Sequence, residues 1–181
     1  MSDTDYDPVG CAELIERIKA SFSGLSIPGR ENIITNLYWA GRMDMERRGT
    51  IIGLNGKAWQ SVDRNDIVGH ASALPTLTPE AFRYYLPAFL IDIVHETIAT
   101  LKGQNYPHDV SYMVIPMIIP WSDGKEDHRM TERMTHFTTQ QSQAVYDFLI
   151  FRIPISLEED DLTPDEANRA LVFWKQKIKL N

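Results

Sequence analysis

The chain holds one cysteine, Cys11, so no disulfide can form within it and no paired-cysteine metal spacing exists. Basic residues are in deficit. Eighteen Lys and Arg against 25 Asp and Glu leave a net charge of −7, which argues against a general nucleic-acid binder, because that function needs a basic face. Long hydrophobic runs are also missing. The stretch Leu86 to Leu101 carries Asp92, His95 and Glu96, and Tyr112 to Trp121 is broken by Pro116 and Pro120, so neither suits a bilayer span. The first seven residues are polar and acidic. They lack the basic start and apolar centre of a signal peptide, and a cytoplasmic protein is expected. Alternating patterns of period two are nearly absent, which leaves little from which to build a sheet.

What remains is ordinary for a soluble protein with a core. Hydrophobic residues make up 43% and charged residues 24% of 181 positions, which fits one domain spanning residues 1–181.

Helix start signals stand out. Thr78 can accept a hydrogen bond from a first-turn amide. Pro79 suits the first helical position, where its missing N–H costs nothing, and Glu80 complements the positive end of the dipole. Leu77 and Phe82 are spaced for a hydrophobic staple. Phe82, Leu86, Phe89, Ile93, Thr97 and Leu101 then follow steps of three and four, while Ala88, Leu90, Ile91 and Val94 widen the stripe almost to a full cylinder. A helix apolar nearly all round is a buried one. Lys102 and Gly103 mark its end. Pro87 lies inside it and predicts a kink near Arg83, whose carbonyl loses its partner. The same grammar recurs at Thr138 with Gln141 and at Thr163 with Pro164 and Glu166. The three starts are irregularly spaced, so they are independent caps rather than repeats.

Other segments read as helices with less force. Asp7 and Pro8 open a helix with the stripe Cys11, Leu14, Ile15, Ile18 and Phe22, stopped by Gly24. Residues 25–37 are a loop, followed by the aromatics Tyr38 and Trp39. Met43 to Leu54 predicts a helix, with a strand at 50–52 as the alternative. Gly56-Lys57-Ala58-Trp59 is a turn leading to an anchoring tryptophan. Asp63 to Ala73 predicts a helix ended by Leu74-Pro75. Asp109 to Ile119 is a buried helix or strand, with helix favoured. Trp121 to Asp127 is a polar loop, and Arg129 to Met134 is helical. Thr138 to Arg152 and Pro164 to Ile178 are amphipathic helices joined by an acidic linker. The fold class is all-α, a single-domain irregular helical bundle around a kinked central helix.

The run Ala73-Leu74-Pro75-Thr76-Leu77-Thr78-Pro79-Glu80-Ala81-Phe82-Arg83-Tyr84-Tyr85-Leu86-Pro87-Ala88-Phe89-Leu90 resembles the signature of a bacterial domain family of unknown function, whose members carry ALxxLTPEAFRYYLPAYL. Upstream, Trp39 and Gly56-Lys57-Ala58-Trp59 fit its tryptophan-bearing loop. Downstream, the helices holding Gln141 to Leu149 and Pro164 to Trp174 fit its C-terminal half. The resemblance implies a fold and an origin; it carries no catalytic residues to transfer.

Chemical motifs mostly fail on inspection. Gly53-Leu54-Asn55-Gly56-Lys57 lacks the spacing of a phosphate loop, and Ala58 replaces the magnesium-binding hydroxyl. His95-Glu96 lacks a second histidine at Ala99. Gly24-Leu25-Ser26-Ile27-Pro28-Gly29 lacks the glycine that a nucleophile elbow needs. His128, Glu132 and His136, spaced by four and four, would share one face of a continuous helix and could ligate a divalent metal; the plainer reading is a solvated polar face. Glu158-Glu159-Asp160-Asp161, followed by Asp165 and Glu166, could dock a basic partner; the plainer reading is solvation and dipole compensation at a helix start. Cys11 reads as a small helix residue. No cofactor is expected. The favoured function is a non-enzymatic interaction protein, such as an inhibitor or immunity protein that binds a basic protein partner. The alternatives are a metal-dependent hydrolase using His128, Glu132 and His136, and a structural scaffold.

Overall fold

A helix begins where its first free amides find acceptors. Thr78 accepts from the amide of Ala81 at the start of α4 (Pro79–Leu101), a 23-residue helix. The computed structural model describes residues 8–35, 45–120 and 128–180. The approach to α4 is tied down: the Thr78 amide donates to the Ile33 carbonyl at 3.0 Å and the Thr35 amide to the Thr76 carbonyl at 2.9 Å. These bonds flank an isolated antiparallel bridge between Ile34 and Leu77. Beyond the cap, Phe82, Tyr85, Leu86, Phe89, Leu90 and Ile93 are wholly buried, as an all-round apolar helix requires. α4 continues through Pro87 and ends at Leu101, and Gly103 takes φ of +66° just after it. Glycine pays no Cβ penalty in that conformation.

Among the described residues seven further α-helices accompany it: α1 (Pro8–Ser21), α2 (Met45–Leu54), α3 (Arg64–His70), α5 (Ser111–Val114), α6 (His128–Thr135), α7 (Thr139–Glu158) and α8 (Pro164–Leu180). No strand occurs among the described residues, and the fold is all-α. α8 lies along α7, while α1 packs on both α4 and α7. The α1 stripe of Cys11, Leu14, Ile15, Ile18 and Phe22 is buried as its spacing implies. Thr138 and Gln141 form a reciprocal capping box at α7. At α8 the Glu166 amide donates to the Thr163 hydroxyl oxygen and the Thr163 amide to the Glu166 carboxylate. On α8, Trp174 is fully buried, donates its indole N–H to the Ile118 carbonyl at 2.8 Å and meets Phe137 edge-on at 5.5 Å. Truncating an aromatic so placed costs roughly 3–5 kcal/mol. One core gathers buried side chains from α1 through α8.

Three elements differ from their sequence expectations. α3 is shorter than 63–73: it stops at His70 and yields to a 3-10 turn over Ala71–Thr76. Pro75 has no amide to extend an α-helical ladder, and the tighter turn bridges the gap to α4. Residues 111–118 form one α turn and one 3-10 turn, with Pro116 near the start of the latter. α7 does not stop at Arg152; it runs through Pro154 to Glu158. Pro154 is exposed, and so is Ile150, whose carbonyl it leaves without a helical partner. Water can satisfy that group, while Ile153 and Ser156 stay buried on the inner face. The expectations for Asp7, Tyr38, Trp39 and the 121–127 loop lie outside the described residues.

Candidate functional site

The signature run is the natural place to seek a site, but its polar atoms are spent on the fold. Arg83 donates Nε–H to the Gln141 side-chain oxygen at 2.8 Å, the same oxygen that caps α7. The Tyr84 hydroxyl accepts from the Trp59 amide at 3.4 Å, and the Tyr85 hydroxyl donates to the Leu54 carbonyl at 2.6 Å, at the end of α2. Burial pushes the Tyr85 phenol up to about 12. Arg133 of α6 reaches the carbonyls of Pro75 and Leu77 and lies over the Phe82 ring at 5.3 Å. Each of these bonds joins α4 or its approach to another element. The motif is an assembly hub for the helices around α4.

Chemistry concentrates one helix turn further on. Asp92 and Glu96, four residues apart on α4, are 6% and 8% exposed. Buried carboxylates require partners. Asp92 accepts from the Arg64 guanidinium of α3 and from the Tyr106 hydroxyl at 2.9 Å. Arg64 also donates to the carbonyls of Pro107, at 2.6 Å, and His108, and stacks 4.1 Å from the centre of the Tyr106 ring. Burial still holds the Asp92 carboxyl above its ordinary range, against the pull of Tyr106 and Arg64. Tyr106 is pushed up to about 12 by burial and by the Asp92 charge.

Glu96 is more perturbed. Burial first, then the Asp109 charge, push its carboxyl up to about 8, against an opposing pull from Arg64. Its Oε2 is buried without a hydrogen-bond partner. Asp109 accepts from the Ser111 amide at 2.6 Å. It also repels Asp161, whose carboxyl is raised by burial and by Glu159 and Asp109. The result is a strip of carboxyl groups, Asp92–Glu96–Asp109–Asp161–Glu159, drawn from α4, the connection after it and the turn before α8. Two guanidiniums bracket the strip. Arg152, only 5% exposed on α7, donates to the Ser111 hydroxyl at 3.1 Å and to Glu159 at 2.7 Å, and lies 4.0 Å from Asp161.

The acidic run expected as a linker is therefore partly built into the fold. Glu158 is the last residue of α7, Glu159 and Asp161 turn onto Arg152, and Asp160 occupies a left-handed φ of +58°. All four residues of the run, 158–161, remain exposed. Of the candidate metal ligands, Glu132 is exposed on α6 and His136 is exposed one residue beyond that helix; the His128 side chain lies outside the described residues. Among the described residues no three His, Cys, Asp or Glu side chains are grouped to hold a metal. Cys11 is buried in the core. His95 is exposed on α4 while its neighbour Glu96 faces inward. The Asp92–Glu96 pair was open to sequence reasoning, because two carboxylates on one turn of an otherwise apolar helix demand partners.

A model of one protein family matches residues 11–178, nearly the whole chain. The chain belongs to DUF6714, a family of unknown function. No curated protein and no solved structure matches the chain. Membership in DUF6714 thus carries no activity across to these residues. Among the described residues no helix is long and apolar enough to cross a membrane.

Proposed function

We propose that this protein is a non-enzymatic, cytoplasmic interaction protein that docks a basic protein partner on its acidic strip, in the manner of an inhibitor or immunity protein. The observation that supports this reading is the convergence of the exposed carboxylates Asp109, Asp161 and Glu159 from two separate connections, the one after α4 and the turn before α8. Like charges brought together cost free energy in the isolated protein, and cationic side chains from a partner offset that cost and speed encounter. Glu158, Asp160 and Asp165 extend the negative field at the exposed start of α8.

The test begins with a basic partner purified from the native cell and binding measured between pure components. The dissociation constant is expected to rise steeply with salt. The combined variant Glu158→Gln, Glu159→Gln, Asp160→Asn and Asp161→Asn is expected to weaken binding by roughly tenfold or more, or ~1.4 kcal/mol. Binding insensitive both to salt and to this variant would refute the reading. Stoichiometric divalent metal in the purified chain would overturn it in favour of a hydrolase.

A further inference from the structure

An imidazole joins α2 to α3. His70, the last residue of α3, is half-buried. Its Nδ1 lies 3.4 Å from the hydroxyl of Thr50 on α2, a residue only 1% exposed. The other edge of the ring lies on the α2 backbone. A Cβ built at Gly53 would clash with Nε2 and fall 2.9 Å from Cε1, so the absence of a side chain there is what lets the ring approach. Both ring nitrogens therefore face α2.

That placement suits a neutral ring. A neutral imidazole has one donor and one acceptor nitrogen, and a hydroxyl can meet Nδ1 in either role. An imidazolium has two N–H donors. Its Nε2–H would point at Gly53, where the α-helical carbonyls already accept from amides four residues on. Charge is unwelcome there too. Lys57, in the turn after α2, donates to the Asp66 carboxylate at 2.6 Å, and Asp66 stands one turn before His70 on α3. Asp66 would attract an imidazolium, but its carboxylate already holds Lys57 and accepts from the Asp63 amide. Residues 49–54 of α2 and 71–76 of the following turn carry no charge. α4 meets α3 through Asp92 and Arg64, and the charges felt at His70 are those of Asp66 and Lys57.

We propose that His70 is an acid-sensitive contact between α2 and α3: the neutral ring holds the two helices together, and its protonation releases α2. Histidine is the side chain whose charge ordinarily changes between pH 5 and 8. Burial first, and the Lys57 charge with it, hold the imidazole below its ordinary value against the pull of Asp66. The closed contact therefore binds the proton less readily than the open one. Its full strength is present above the ordinary histidine value of about 6.5 and is lost as pH falls below it. The Tyr85 hydroxyl donates to the Leu54 carbonyl and keeps the C-terminal end of α2 on α4, so the opening is local. The inference does not depend on the existence of a basic partner.

Hydrogen exchange of the full chain from pH 7.5 down to pH 5, corrected for intrinsic rates, tests it. Protection of the amides of residues 50–54 is expected to fall below pH ~6.5 by up to about tenfold per pH unit, while α7 keeps its protection. His70→Gln, which keeps a donor and an acceptor but does not titrate, is expected to give α2 a protection independent of pH. Flat protection in the native chain would overturn the proposal, as would a pH dependence that survives in the Gln variant. Should that variant fail to fold, the His70 ring in the native chain decides by NMR. A midpoint at or above ~6.5 overturns the proposal, and a lower midpoint that tracks the loss of α2 protection supports it.

Discussion

Arg64→Ala is the perturbation that bears most directly on the buried cluster. The Arg64 side chain is 25% exposed and that of Asp92 7%, so the pair is neither a surface ion pair nor fully dry. Truncation leaves Asp92 with the Tyr106 hydroxyl and no cation. Breaking a buried pair by removing one partner costs about 3–5 kcal/mol. Partial exposure of Arg64 and the ability of Asp92 to take up a proton lower this to about 2–3 kcal/mol. Loss of the guanidinium over Tyr106 adds ~0.5–1 kcal/mol. The Pro107 and His108 carbonyls lie on exposed residues, where water replaces the lost donor. The expected destabilisation is thus roughly 2–4 kcal/mol near neutral pH, read from urea unfolding with an unchanged slope. Asp92 already sits above its ordinary range, and without Arg64 it rises further. The penalty is therefore expected to shrink as pH falls and Asp92 takes up a proton. Asp92→Asn and the double variant complete the cycle, with a coupling of about 1 kcal/mol or more expected for groups in contact. A loss below ~0.5 kcal/mol for Arg64→Ala, or additivity of the two substitutions, would refute the assignment of this pair as the main tie between α3 and α4.

Two further outcomes separate local from tertiary effects. Gly49 and Gly53 both lie in α2, and a Cβ at Gly49 meets nothing within 4 Å, whereas one at Gly53 falls 2.2 Å from the His70 ring. Gly49→Ala is expected to stabilise by ~0.5–1 kcal/mol through helix propensity. Gly53→Ala is expected to give no gain and to loosen α2 from α3; equal thermal shifts for the two would contradict the observed packing. The second outcome concerns pH. The folded chain binds the Glu96 proton more tightly than the unfolded chain does. That contribution is fully present below the ordinary glutamate range and is lost as pH rises to about 8. One such proton gives a slope of ~1.4 kcal/mol per pH unit against stability in that window. Glu96→Gln is expected to flatten the slope in denaturant titrations, and an unchanged slope would count against a buried, protonated Glu96.

The helix starts were legible because a cap is a local object. Thr78, Thr138 and Thr163 each bond an amide three residues on, and three residues are enough to recognise the pattern. The apolar cylinder of α4 was legible for the same reason, since a period of 3.6 residues reports burial directly. The stopping point of α7 was not. Pro154 reads as a terminator, but an exposed proline whose lost bond faces water is tolerated when packing continues on the other face.

The amino-acid sequence by itself settled an all-α fold, a buried central helix with its caps and a net negative charge, because propensity, periodicity and charge are properties of neighbours along the chain. Tertiary structure alone decided which carboxylates are buried and which partners they meet. Arg64 comes to Asp92 from 28 residues away and Tyr106 from 14. Burial and electrostatic coupling depend on distance through space, and the order of residues along the chain does not encode that distance directly.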